Sequence, residues 1–233
     1  MADTSVGAGT PFFTFRPPLL LLQGFGANAT WQWYGQVGHF APHRRLMVPD
    51  LLHFGGSVPR RSDCTLEAQV ELIRELLDHQ GVDRCDVVGV SYGGFVALGL
   101  SHEHPERVRL AVFVDSPGVG YTERDYQSLL STFSINHISE LLLPAEPDGL
   151  KRLLQIAWHR PPWTPSFALP DVHRNLFIDR VAEKRALLDN LLARLRGPPL
   201  GLPLALGAAW RAGAIGPPRG RTSAPVVKRS KRE

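Results

Sequence analysis

The stretch "VVGVSYGGF", Val87 to Phe95, decides how this sequence folds. An apolar run that begins at Cys85 breaks at Gly89-Val90-Ser91-Tyr92-Gly93-Gly94, and apolar residues resume at Phe95. The spacing is G-x-S-x-G, with a strand-like run before it and a helix-like run after it. In such a turn the small residues flanking the serine let the backbone fold back tightly, which strains the serine and presents its hydroxyl beyond the sheet. The N–H of Tyr92 and the positive end of the following helix face the same point, an arrangement that favours a developing oxyanion. Ser91 is therefore a candidate nucleophile, and the Tyr92 N–H a candidate oxyanion donor.

Upstream, "LLLLQGFGA" (Leu19 to Ala27) is a second apolar run ending in glycines. Leu19 to Leu22 suits a strand buried on both faces. A turn at Gly24-Phe25-Gly26 would bring the Phe25 N–H beside Ser91 as the second oxyanion donor. Between the two runs the spacing predicts a helix over Thr30 to Phe40, a strand over Arg45 to Val48, and a helix over Thr65 to Gln80 with Thr65 as N-cap and Gly81 as its stop. Cys85 to Val90 is then the third strand, Gly93 to His104 the next helix, and Val108 to Val114 the fourth strand. Strict alternation of strand and helix implies a parallel sheet with helices on its faces and right-handed crossovers.

After Asp115 the pattern turns helical, with segments at Arg124 to Phe133, Ile138 to Leu143, Gly149 to His159 and Phe177 to Leu195, and a proline joint at Pro161-Pro162. These read as a cap laid over the sheet. From Gly197 onward six glycines and six prolines accompany seven Lys/Arg and one acid, so the net charge of +4 hides a basic tail attached to a mildly acidic body. The expected divisions are a loose N-terminus (1–18), an α/β core (19–118), a helical cap (119–196) and a disordered basic Gly/Pro-rich tail (197–233). The closing "KRSKRE" reads as a solvated charge run, and no nucleic-acid partner is expected of the folded part.

The 43% hydrophobic and 21% charged content suits a globular core. Two cysteines, Cys64 and Cys85, supply neither a disulfide framework nor a metal-ligand spacing, so the expected setting is cytoplasmic with both thiols reduced. Arg16, Pro17 and Pro18 interrupt the apolar stretch around Phe12 to Leu22, so no transmembrane segment is expected. No metal or organic cofactor is implied.

The pieces "LLLLQGFGANATWQW", "VPDLLHFGGS", "GVSYGGFVAL" and "HPERVRLAVFVDS" resemble the α/β-hydrolase superfamily, in particular plant serine hydrolases similar to monoacylglycerol lipases and epoxide hydrolases. The resemblance implies an α/β-hydrolase-like parallel sheet with flanking helices and a helical cap, and ester-type acyl chemistry at Ser91, since epoxide hydrolases place an aspartate at that turn. The family's His-Gly before the oxyanion turn is Gln23-Gly24 here. The family also returns from the cap into two further strands, one ending in the catalytic Asp and the next followed by Gly-His. Nothing after Leu195 resembles either, and Met1 to Pro18 leaves little room for the usual leading hairpin, so the fold is expected to be truncated at both ends.

A serine needs a base within ~3 Å or one water away. His53, in the loop after the second strand, is the histidine best placed to line the pocket; His137, His159 and His173 lie in the cap, and His39, His43, His79, His102 and His104 read as solvated or capping residues. Asp115, after the fourth strand, is a possible acid, whereas Asp50 reads as a turn residue and Asp86 as an early strand residue. The expectation is a serine hydrolase-type protein acting on a small apolar carboxylic ester, crippled by loss of the catalytic Asp and His. A noncatalytic binding protein with the same pocket is the alternative, and a chain that does not fold stably, its fourth strand an uncovered edge, is the third.

Overall fold

The computed structural model describes residues 16–26, 28–58, 63–116, 122–157 and 164–196. The expected tail, most of the expected loose N-terminus, His159 and the Pro161-Pro162 joint lie outside them.

Strand β1 (Leu19–Leu22) runs into α1 (Ala29–Phe40), then β2 (Leu46–Met47), α2 (Leu66–His79), β3 (Cys85–Val90), α3 (Tyr92–Glu103), a 3-10 turn (Pro105–Arg107) and β4 (Val108–Val114). The four strands form one parallel sheet in the order β2-β1-β3-β4. β1 has both faces buried, and the reason is its alternation: Leu20 and Leu22 pack with Val70 and Ile73 of α2 and Val96 and Leu100 of α3, while Leu19 and Leu21 pack with Trp33 of α1.

The helix starts follow local chemistry. Thr65 Oγ1 accepts from the Ala68 N–H at 3.2 Å, which is the expected N-cap. At α1 the cap is Asn28, whose Oδ1 accepts from the Trp31 N–H at 2.7 Å. Asp50 is more than a turn residue: its carboxylate accepts from the Ala29 N–H at 2.7 Å and from the Gly56 N–H at 2.8 Å, tying the loop after β2 to the first turn of α1. Asp86 likewise exceeds the strand-start role expected of it. It is buried on the sheet and takes charge-assisted hydrogen bonds from Arg44 at 2.5 Å and Arg109 at 2.6 Å.

Beyond Asp115 come α4 (Glu123–Phe133), α5 (Ser139–Leu142), α6 (Pro147–Ala157), α7 (Leu169–His173), a π-turn (Arg174–Ile178) and α8 (Val181–Arg196). The helix expected over Phe177 to Leu195 therefore begins later, and α7 and the π-turn precede it. Lys184 of α8, 1% exposed, explains the break in register: its Nζ donates to the carbonyls of Leu176 and Asp179 at 2.9 and 2.6 Å, supplying a donor to backbone acceptors at the end of the π-turn. Leu187, Leu188, Leu191 and Leu192 of α8 join the core cluster that contains the sheet. Among the described residues β4 is an edge strand. Leu110 and Val112 share the face of Leu19, Leu21 and Val88 that α1 covers, yet they lie beyond it and are about half exposed.

Candidate active site

Because the strands are parallel, their carboxyl ends converge at one edge, and the order β1-β3-β4 sets three segments side by side there. Leu22 pairs with Gly89 and Val90 with Val114, so Gly24-Phe25, Ser91 and Asp115 emerge from adjacent strands. Ser91 stands between β3 and α3 with φ 49 and ψ −114, and its N–H donates to the Val114 carbonyl at 2.9 Å. That left-handed backbone in a non-glycine residue costs of order 1–3 kcal/mol and persists only where its surroundings fix it.

The flanking glycines show what fixes it. A Cβ on Gly89 would lie 2.2 Å from the Gly93 carbonyl oxygen, and one on Gly93 would lie 2.4 Å from the Leu22 carbonyl oxygen. The turn thus folds onto itself and onto the end of β1 at backbone contact. Gly24 presses on the other side, its Cβ position 3.3 Å from Ser91 Cβ. Gly26 has φ +82, and a Cβ there would meet the Phe177 ring at 2.5 Å, so the π-turn of the cap rests directly on the turn after β1. Behind that turn Phe25 meets Phe54 and Tyr92 edge-on, with centroids 5.2 and 5.8 Å away, Phe54 and Tyr92 are tilted at 6.2 Å, and Lys184 Nζ lies 5.6 Å over Phe54. Burial raises the Tyr92 phenol pKa and lowers that of Lys184, which Asp179 partly offsets.

These residues open on a cavity of about 540 Å³ lined by Gly24, Phe25, Ser91, Tyr92 and Asp115 on the core side and by leucines of α4, α5, α6 and α8 on the cap side. All four residues singled out in the sequence, Ser91, Phe25, Tyr92 and Asp115, therefore face one space. Asp115 has φ 45, a left-handed conformation that aspartate tolerates better than most side chains.

No histidine among the described residues lines the cavity. His53 is a correction to the sequence reading: it is buried, but its Nε2 faces the Asp63 carbonyl at 3.0 Å and Cys64 Sγ at 3.5 Å. His137 is held by Ser139 Oγ at 2.8 Å and Asp189 at 3.6 Å, and His173 by the Pro144 carbonyl at 2.7 Å, stacked on Phe177. His39 packs against Phe40 and His43, while His104 sits 3.8 Å from Glu71 and Glu106. Lys184 and Phe177 were not legible as site residues, because a lysine at that spacing reads as a solvated helix position. Among the described residues no group of three His, Cys, Asp or Glu is placed to hold a metal ion, and no helix is long and apolar enough to cross a membrane.

Comparison with known proteins matches residues 17–213 to the family described as alpha/beta hydrolase fold. The chain is 36% identical over 107 residues to 2-hydroxymuconate semialdehyde hydrolase of Pseudomonas sp. (strain CF600), covering 45% of this chain and 38% of that protein. It is 34% identical over 98 residues to lipase LipV of Mycobacterium tuberculosis, covering 42% and 37%. The matched stretch thus spans under two fifths of either relative's length. Among solved structures, 2-hydroxy-6-oxo-6-phenylhexa-2,4-dienoate hydrolase from Rhodococcus sp. strain RHA1 superposes with a TM-score of 0.60 at 21% identity, over 78% of this chain and 67% of that one. That likeness is one of fold.

Proposed function

The chain belongs to the alpha/beta hydrolase fold family, and from that premise we propose that it is a serine hydrolase-type protein acting on carboxylic esters, in the lipase and esterase branch that also holds monoacylglycerol lipases. Ser91 is the nucleophile, the Phe25 and Tyr92 N–H groups are the oxyanion donors, and Asp115 is the acid of the site. The observation that carries this reading is the strained Ser91 backbone, locked by glycine contacts and facing the same cavity as the turn after β1. In the reaction Ser91 Oγ attacks the ester carbonyl carbon, negative charge gathers on the carbonyl oxygen, and collapse expels the alcohol with the serine's proton. Water then attacks the acyl-serine, releasing the carboxylic acid and restoring the hydroxyl.

A second reading rests on one specific observation, the lack of a described histidine at the cavity. Without a base the oxyanion donors and binding alone give only ~10³–10⁴-fold over water, the residual known from triad-deleted serine proteases. In that case the chain is a binding protein that keeps the pocket and cap. We place it in a reducing, cytoplasmic setting, since a sequence with two cysteines supplies no disulfide framework; burial pushes the Cys85 thiol up to about 11. A fluorophosphonate probe separates the readings. Labelling of the wild type that vanishes in a folded Ser91→Ala variant supports the hydrolase, and a folded wild type that takes no label supports the binder.

A further inference from the structure

We propose that Lys184 is a positioning residue of the site, holding from within the cap the turn that carries the Phe25 N–H and so setting how fast Ser91 reacts; this rests on the ester reading of the same cavity. Burying an ammonium is costly, and an apolar side chain of similar length would fill the space without that cost. What the ammonium adds is direction. Its Nζ donates to the carbonyls of Leu176 and Asp179 at 2.9 and 2.6 Å and lies 5.6 Å over the Phe54 ring, a cation on an aromatic face. Each contact leads to the oxyanion turn by its own route. Phe177 follows Leu176 in the π-turn that the lysine holds, and its ring fills the space that a side chain on Gly26 would need. Phe54 meets Phe25 edge-on at 5.2 Å, and Phe25 meets Tyr92 edge-on at 5.8 Å.

The core holds the other end of this chain of contacts. The Phe54 N–H donates to the Leu51 carbonyl at 3.0 Å, and the Leu52 N–H and carbonyl both pair with the Gln69 side-chain amide, at 2.9 and 3.0 Å. Arg180, just past the π-turn, adds a bond from the cap to the Ser57 carbonyl of the same loop. Phe54 is thus fixed at its backbone by the core and at its ring by Lys184. Phe25 in turn is held at its ring by Phe54 and, one residue on, by Phe177 against Gly26. Both proposed oxyanion donors, the N–H groups of Phe25 and Tyr92, belong to residues in this cluster. Such donors act only where charge develops, so a displacement well short of the ~1 Å that costs ~10²-fold still slows the reaction about 10-fold. Ligand binding draws on the leucine walls of the cavity instead, so Lys184 is expected to act on the rate at saturation and not on affinity.

The test labels Ser91 of the full chain with a fluorophosphonate, separating the rate at saturating probe from the half-saturating concentration, and follows the backbone amide resonances of Phe25 and Gly26 by NMR. Lys184→Met is expected to lower the saturating rate ~10-fold, with the half-saturating concentration within ~2-fold of wild type, and to move both resonances. Phe54→Leu is expected to do the same. The double variant is expected to label no more than ~2-fold more slowly than the slower single, because both changes cut one chain of contacts. Asp86→Asn, at the opposite end of the sheet, controls for lost stability and is expected to label at the wild-type rate. A folded Lys184→Met that labels as fast as wild type, or whose loss lies wholly in the half-saturating concentration, overturns the proposal. So do single effects that multiply in the double variant, and an Asp86→Asn chain slowed as much as Lys184→Met. Should Lys184→Met not fold, Lys184→Gln, neutral and shorter, takes its place under the same outcomes. The hydrolase reading fails separately: a wild type that takes no label refutes it, and the Phe25 and Gly26 resonances then decide, moved by the Lys184 variant if the lysine holds the turn and unmoved if it does not.

Discussion

Gly26 is one of the points at which the cap touches the core. Its φ of +82 is open to glycine at little cost, and the Phe177 ring occupies the space a side chain would need. Gly26→Ala therefore combines backbone strain with a clash against the cap, and the cheapest escape is for the π-turn to lift from the turn that carries Phe25. The expected result is a loss of about 1–3 kcal/mol in stability, measured by urea unfolding, with slower fluorophosphonate labelling of Ser91 than the stability loss alone explains. Ser91→Ala is expected to do the opposite: labelling disappears, while stability holds or rises slightly, since the strained position keeps its backbone and loses only a hydroxyl. A Ser91→Ala chain that still takes the label at the wild-type rate would move the nucleophile elsewhere.

Among the elements, the π-turn and α8 act as a pair. Lys184 bonds two carbonyls at the end of that turn and lies over Phe54, which packs edge-on against Phe25 at 5.2 Å. Lys184→Met keeps the length and apolar stem but leaves the Leu176 and Asp179 carbonyls without that donor, an expected loss of about 1–3 kcal/mol. Hydrogen exchange should rise at residues 174–180 and stay unchanged in α2 and α3 if the effect is local to the turn. This was the part of the chain least legible in sequence. The spacing of Phe177, Val181, Leu188 and Leu192 reads as one continuous helix, because periodicity registers which residues are apolar and not whether a buried amine draws carbonyls out of register. The earlier elements were easier: β3 and β4 ended where their apolar runs ended, and Thr65 capped α2 as its side chain predicts.

For the whole molecule the sheet depends on an ionic cluster at its amino end. Asp86 is buried beside Arg44, which also donates to the Pro17 carbonyl, and Arg109. Burial by itself would raise the carboxyl pKa, but the hydrogen bonds and charges of Arg109 and Arg44 overcome it and hold Asp86 below the usual carboxylate value. A carboxyl depressed in the folded state contributes its stability above the unfolded pKa of about 3.9, and loses it as pH falls through the lower folded value. Asp86→Asn is therefore expected to lower stability near neutral pH by about 1–3 kcal/mol and to flatten the fall in stability below about pH 5, both read from thermal melts across pH. An acid profile as steep as the wild type's would show that other carboxylates carry it. The sequence by itself determined the parallel alternation and the glycine-flanked turn at Ser91, because strand period, helix period and glycine spacing are properties of neighbours along the chain. Only the tertiary structure decided that His53 turns to Asp63, that Lys184 is buried in the cap, and that Arg152 and Arg185 bond to Phe133 and Ser139. Those outcomes depend on which backbone carbonyls lie within reach of a long or planar side chain once the elements pack, and residues far apart in sequence supply them.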